Sequence, residues 1–221
     1  MTSNLHSRIN PCHLDHTAVA AAAARFAKDP CLTVWFDDFL LPNRLESLRM
    51  LYGSDGDFHP WYGDFDGISH SDTGWELVLK SPKPDRRVDP GYLTYLLLCN
   101  FINRPSFADY LARITGIKPD AIQGLQVRIT PPGHHVKPHT DNISNRRLCL
   151  VLYPGRHWQP GYGGRFLQMS EGRVVRELEP LPNRLVVFKV SGQSMHAVEP
   201  LAETAPPRWG LTIWMSAPAP A

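Results

Sequence analysis

The spacing of apolar and polar positions changes near the middle of the chain. Before residue 120 the pattern is mixed. An alanine-rich run at 17–28 has high helix propensity and stops at Asp29-Pro30, which predicts a helix. The β-branched and aromatic residues of 31–36 predict a strand, and Leu45, Leu48 and Leu51 recur at helical spacing within 42–51. Residues 53–72 mix Gly, Asp, His and aromatics without period and predict a long surface loop. Residues 75–79 predict a strand, and 92–114 a helix ended by Gly116-Ile-Lys-Pro119. From Gly124 onward, short apolar runs at 125–129, 148–153, 165–169, 173–178, 184–190, 196–198 and 209–214 are separated by turn signals such as Pro131-Pro-Gly133 and Gly161-Tyr-Gly-Gly164. Short strands at this spacing predict an antiparallel sandwich or barrel. Residues 1–16, polar and without period, predict a loosely ordered terminus.

Composition narrows the function classes. The 221 residues suit one compact domain with appended segments, and 43% hydrophobic against 20% charged residues excludes a disordered chain. The 21 prolines and 16 glycines argue against a helical bundle. A net charge of +2 without a basic block disfavours nucleic acid as a partner. The apolar stretch 18–24 has no basic leader and is too short to span a bilayer, so no membrane association is expected. Cys12, Cys31, Cys99 and Cys149 lie too far apart for a disulfide framework or a CxxC pair; free thiols and a cytoplasmic location are the expectation.

Three features of the β-rich half converge on chemistry. In extended His139-Thr140-Asp141, side chains two apart face the same way, so an imidazole and a carboxylate can grip one ion. His-x-Asp alone is common by chance. His196, just after the apolar strand at 185–190, would complete a set of two histidines and one carboxylate, the facial triad of non-haem Fe(II) oxygenases. Arg208, twelve residues later, opens the last strand and can meet a carboxylate with two charged hydrogen bonds. A keto acid that chelates iron at one end and meets this arginine at the other describes 2-oxoglutarate.

These residues carry a resemblance. His139-Thr-Asp-Asn142, the LVLY at 150–153, Gly163-Gly164, the PLPNRLVVF at 180–188, the HAV at 196–198 and the RWGLTIW at 208–214 resemble the core of the Fe(II)/2-oxoglutarate-dependent dioxygenases, prolyl-hydroxylase-like branch. The strand–helix stretch from Cys31 and the helix at 107–117 resemble the support elements that precede such a core. The resemblance implies a mainly β fold with flanking helices, a double-stranded β-helix or jelly roll. Its domain would run over 31–216, with support elements at 31–120 and a metal-binding core at 121–216, after an N-terminal extension at 1–30 and before a tail at 217–221.

The resemblance also implies roles. His139, Asp141 and His196 would be the metal ligands and catalytic residues, and Arg208 would bind the far carboxylate of 2-oxoglutarate, with Tyr153 and Thr212 as helpers. Fe(II), 2-oxoglutarate and O2 are the implied cofactors, and ascorbate is allowed as a reductant. The implied reaction hydroxylates an unactivated C–H bond of a prolyl or amino-acid-type substrate as 2-oxoglutarate and O2 become succinate and CO2. Asp141 favours hydroxylation over halogenation. Substrate choice stays open between peptidyl, free amino-acid and natural-product molecules, and oligomeric state is not readable. Competing readings are an oxygen- or metal-responsive binding module and a cupin-like metal enzyme; the first would be marked by loss of a ligand or of Arg208, and the second would not need Arg208.

Relatives often carry a tyrosine ten residues before the first histidine, where this chain has Ile129; Arg128 would then point to the opposite face. Further residues have bland and functional readings. His134 and His135 fit a solvent-facing turn more readily than a second metal site. Arg146 and Arg147 fit a charged turn or a contact to a substrate carboxylate. Trp61, Tyr62, Trp158 and Tyr162 fit packing or an entrance to the site.

Overall fold

A computed structural model describes residues 5–53, 58–61, 64–65, 68–69, 74–77, 90–143 and 145–218. The elements run α1 (His16–Lys28), β1 (Thr33–Phe36), α2 (Pro42–Arg49), β2 (Phe58–Trp61), β3 (Asp64–Phe65), β4 (Ile68–Ser69), β5 (Gly74–Leu77), α3 (Pro90–Ile102) and α4 (Pro105–Thr115). Then come β6 (Ala121–Thr130), β7 (Val136–His139), β8 (Arg146–Tyr153), β9 (Phe166–Ser170), β10 (Arg173–Leu178), β11 (Arg184–Lys189), β12 (His196–Val198) and β13 (Arg208–Ser216). Among the described residues no helix is long and apolar enough to cross a membrane.

Strand alternation builds two layers of core. A seven-stranded antiparallel sheet has the order β1-β11-β8-β13-β6-β5-β2, and a four-stranded sheet the order β10-β9-β12-β7. Cys149, Val151 and Tyr153 of β8, Val186 and Phe188 of β11 and Trp214 of β13 point inward and meet Phe166 of β9 and Leu178 of β10. The alternate residues, Leu148, Leu150, Leu152, Leu185, Val187, Leu211 and Ile213, point outward under the helices, against side chains that include Leu48, Phe101, Tyr110 and Leu111. Both faces of the large sheet are thus covered, and its central strands read as near-continuous apolar runs. Two antiparallel sheets facing each other form the expected jelly roll.

The first half departs from expectation in three places. The helix expected over 92–114 is two helices, because Pro105 lacks an N–H and drives Arg104 into an extended conformation (φ −77°, ψ 139°); Pro105 then starts α4. Within 53–72 the structure contains β2, β3 and β4, with β2 as an edge strand on β5; apart from Gly53, the rest of that stretch lies outside the described residues. Neighbouring strands supply this pairing, which the local pattern does not announce. The expected loose terminus is packed from residue 5: Ile9 is fully buried, Asn10 caps the short 3-10 helix Pro11–His13, and the His13 ring lies against Phe36 and Phe39.

Asn183 ties the large sheet to the chain before α2. It is buried with a left-handed backbone (φ 63°), its Oδ1 accepts from the Leu40 amide and its Nδ2 donates to the Leu40 carbonyl, both at 2.9 Å. Asn183→Ala removes both bonds and puts a less tolerant residue in the left-handed region. The expected loss is about 2–4 kcal/mol of unfolding free energy in urea melts. A loss under about 0.5 kcal/mol, typical of an exposed substitution, would contradict this role.

Candidate active site

The three expected ligands meet at one end of the small sheet. β7 is its edge strand, where Pro138 costs no ladder hydrogen bond, and His139 is directly opposite His196 of β12. The pairing is irregular between His196 and Val198, as is common beside active sites. Asp141 follows two residues after His139. His139, Asp141 and His196 each offer one ligand atom, and all three atoms lie within 4.8 Å of one another. His139 Nε2 is 3.7 Å from Asp141 Oδ1, and His196 Nε2 is 3.3 Å from Oδ2.

Backbone carbonyls aim both rings. His139 Nδ1 is 2.8 Å from the Lys137 carbonyl oxygen and His196 Nδ1 is 2.9 Å from that of Ser194. A carbonyl oxygen only accepts, so each Nδ1 carries a hydrogen and each Nε2 lone pair is left to face a metal. Burial alone would raise the Asp141 carboxyl, but His196 and His139 outweigh it and hold it well below the usual carboxylate range. For His196, burial acts to lower the pKa, and the Asp141 carboxylate outweighs it and raises it. Two neutral imidazoles and an ionised carboxylate on one face suit Fe(II) and leave other positions open.

Arg208 lies inside the same barrel with only 5% exposure. Its Nη2 donates to Tyr153 Oη at 3.2 Å, and its guanidinium lies 4.8 Å above the Tyr153 ring. Its Nε is buried without a hydrogen-bond partner, and no carboxylate among the described residues pairs with it. Burial accordingly depresses its pKa. A buried cation without an acid is costly unless a ligand supplies the counter-charge.

Residues 125–216 match the family model described as 2OG-Fe(II) oxygenase superfamily. The matched stretch holds all three histidine and aspartate ligands and Arg208, and is similar to a 2OG-Fe(II) oxygenase core. Mouse (Mus musculus) prolyl 3-hydroxylase OGFOD1 is 25% identical over 197 residues, 83% of this chain, and the chain spans 34% of that protein's length. A prolyl hydroxylase from Trichoplax adhaerens, solved with a hypoxia inducible factor peptide fragment, superposes with a TM-score of 0.67 at 17% identity, covering 91% of this chain and 90% of that one. A Pseudomonas putida prolyl-4-hydroxylase gives 0.61 at 20% identity, covering 90% and 99%. At these identities the two structures share the fold.

The cavity beside the triad has a volume of about 50 Å³. Thr212 and Arg208 of β13 line it, whereas Tyr153 stands behind Arg208 in the inner core. Gly163 and Gly164 let their loop lie close against Pro200 and Leu201, with Gly164 also beside Arg208. Both have positive φ (70° and 65°); a Cβ on Gly163 would overlap the Pro200 carbonyl oxygen, and one on Gly164 would lie 3.2 Å from Arg208 Cδ.

One expectation is reversed. Ile129 packs outward with the helix-side core, and Arg128 lines the cavity. On β6 the apolar residues Leu125, Val127 and Ile129 share the outer face, so Gln126 and Arg128 face inward; Arg128 sits opposite Gly210, which has no side chain to obstruct it. Arg146 and Arg147 also separate. Arg146 lies 4.1 Å over the Trp214 ring with Nη1 3.9 Å from Asp141 Oδ1, whereas Arg147 faces a different surface cleft. Trp158 and Tyr162 pack edge to face 5.5 Å apart and do not line the cavity. The side chain of Trp61 and all of Tyr62 lie outside the described residues. His134 and His135 belong to no three-ligand cluster among the described residues.

The sequence alone does not place Gln126, Cys149 or Trp214 at the site, yet all three line the cavity. The signal was present in strand alternation: positions 149, 151 and 153 share a face, as do 208, 210, 212 and 214.

Proposed function

We propose that this chain is an Fe(II)- and 2-oxoglutarate-dependent hydroxylase acting on a C–H bond of a prolyl or amino-acid-type substrate. The observation that carries the reading is the buried Arg208, without an acidic partner, in the same barrel as two histidines and an aspartate aimed at one point. His139, Asp141 and His196 would hold iron, and Arg208 the far carboxylate of 2-oxoglutarate, aided by Thr212 and by Tyr153 through its bond to Arg208. The bound metal and keto acid supply the oxidising chemistry. The protein contributes placement: carbonyl-anchored rings fix the metal face, and the apolar inner core keeps water from the reacting atoms. A five-carbon diacid exceeds a 50 Å³ void, so the long side chains of Arg128 and Gln126, 3.4 Å apart at their tips, are the ones that yield when it enters.

Residues 31–216 are read as one dioxygenase domain. A peptidyl substrate is favoured by the likeness to prolyl hydroxylases, one of them solved with a peptide. The four thiols, unpaired in the structure, fit a reducing compartment, and a cytoplasmic location follows from that reading. The test is succinate release from 2-oxoglutarate with proline-containing peptides beside free proline, with mass spectrometry of the acceptor. Addition of one oxygen to an acceptor supports the reading. Metal and 2-oxoglutarate binding without succinate from any acceptor would move the binding-module reading forward.

Iron uptake is expected to be pH-dependent. The raised pKa means the metal-free protein keeps the His196 proton to higher pH than a free imidazole, and metal must displace that proton. Affinity is therefore full above the raised value and falls through it, approaching about tenfold per pH unit in acid for each proton displaced. Competition titration with a chelator across this range measures it. An affinity flat from pH 8 to about pH 5.5 would contradict the assignment.

A further inference from the structure

A second cavity, of about 310 Å³, lies on the opposite side of the large sheet from the metal ligands, beneath α2 and α3. Its floor includes Leu152, Leu211 and Ile213, none more than 4% exposed, and its roof includes Leu98 and Phe101. It therefore reaches into the helix-side core, and Met50, Leu93 and Leu97, about half exposed, border it. Arg8 and Arg44 also line it. Arg44 Nε donates to the Ser7 carbonyl, and the Arg8 guanidinium lies 5.1 Å from the Phe101 ring centre.

No described carboxylate pairs with Arg8 or Arg44. Burial depresses the Arg8 pKa, and repulsion from Arg44 and Arg104 depresses it further. An apolar void reaching the buried core leaves its lining short of contacts, and Arg8 and Arg44, with no described carboxylate beside them, attract an anion. The volume sits at the lower end of the about 300–1,000 Å³ of small-molecule sites. An unbranched alkyl chain ending in a carboxylate satisfies both the void and the charge.

We propose that this cavity binds a fatty carboxylate, its alkyl chain over Leu211 and Ile213 and its head held by Arg8 and Arg44. The site is separate from the metal centre, although its floor belongs to the strands whose other faces carry Tyr153 and Arg208.

The test is calorimetric titration of sodium dodecanoate, below its micelle concentration, into the metal-free full chain. Saturable one-to-one binding is expected, weakened at least tenfold in the Arg8→Gln/Arg44→Gln double variant and unchanged in Arg208→Ala. Dodecyltrimethylammonium, with the same chain and the opposite charge, is expected not to bind in that range. Leu98→Trp, which fills the roof, is expected to abolish binding; the arginine variant carries the test if that protein does not fold. Absence of saturable binding, or equal binding by the double variant or by the cationic amphiphile, would overturn the proposal. Loss of binding in Arg208→Ala would do the same by placing the carboxylate in the barrel. Because no metal or turnover enters the measurement, failure here leaves the hydroxylase reading untouched.

Discussion

Asp141→Ala is expected to lower iron affinity by more than about 100-fold and to abolish turnover, because it removes the only anion of the triad and one of its three ligand atoms. The two imidazoles left behind would lose the charge that balances the metal and, with it, the carboxylate that raises the His196 pKa. Arg146, 3.9 Å from the carboxylate, would lose its nearest anion as well. Asp141→Asn keeps the volume and removes the charge, so it separates the electrostatic contribution from packing. Iron titration and succinate release measure both variants, and normal turnover in either would remove the proposed triad.

Arg208→Ala is expected to act on the co-substrate and to spare the metal. Truncating one partner of a buried charge pair costs about 2–5 kcal/mol, so the concentration of 2-oxoglutarate needed for half-maximal turnover should rise at least about 30-fold. Iron affinity should stay within about threefold, since Arg208 touches none of the three ligands. Arg208→Lys should recover only part of the loss, because an ammonium cannot reproduce the two-pronged contact. Tyr153→Phe should have a smaller effect, as Tyr153 reaches the co-substrate only through its 3.2 Å bond with Arg208. An unchanged requirement in Arg208→Ala would place the far carboxylate elsewhere.

The ligand set was legible because short extended segments have a fixed two-residue period, which puts His139 and Asp141 on one face without knowledge of the fold. His196 and Arg208 became legible through the apolar strand before one and the strand after the other. The family habit at position 129 points to the wrong face of β6, whereas the strand's own alternation gives the observed one. Leu125, Val127 and Ile129 form the apolar set, and the helix side of the large sheet is where that set is buried. The Pro105 break was available in the sequence, since a proline inside a helical pattern ends it at the preceding residue. The strands β2 to β4 were not, because their pairing comes from neighbours and not from a local period. The burial of Ile9 is likewise a tertiary outcome: a single apolar residue in a polar terminus carries no period to announce it.

The central claim is that iron and 2-oxoglutarate meet between this triad and Arg208. Adding Fe(II) and then 2-oxoglutarate to the metal-free protein under anaerobic conditions, and recording the visible spectrum, tests it most directly. A weak charge-transfer band from the chelate should appear in the native protein and weaken in Arg208→Ala at the same co-substrate concentration. Metal binding without any such band would contradict the co-substrate assignment, leaving the jelly roll as a metal-responsive binding module or a cupin-like enzyme.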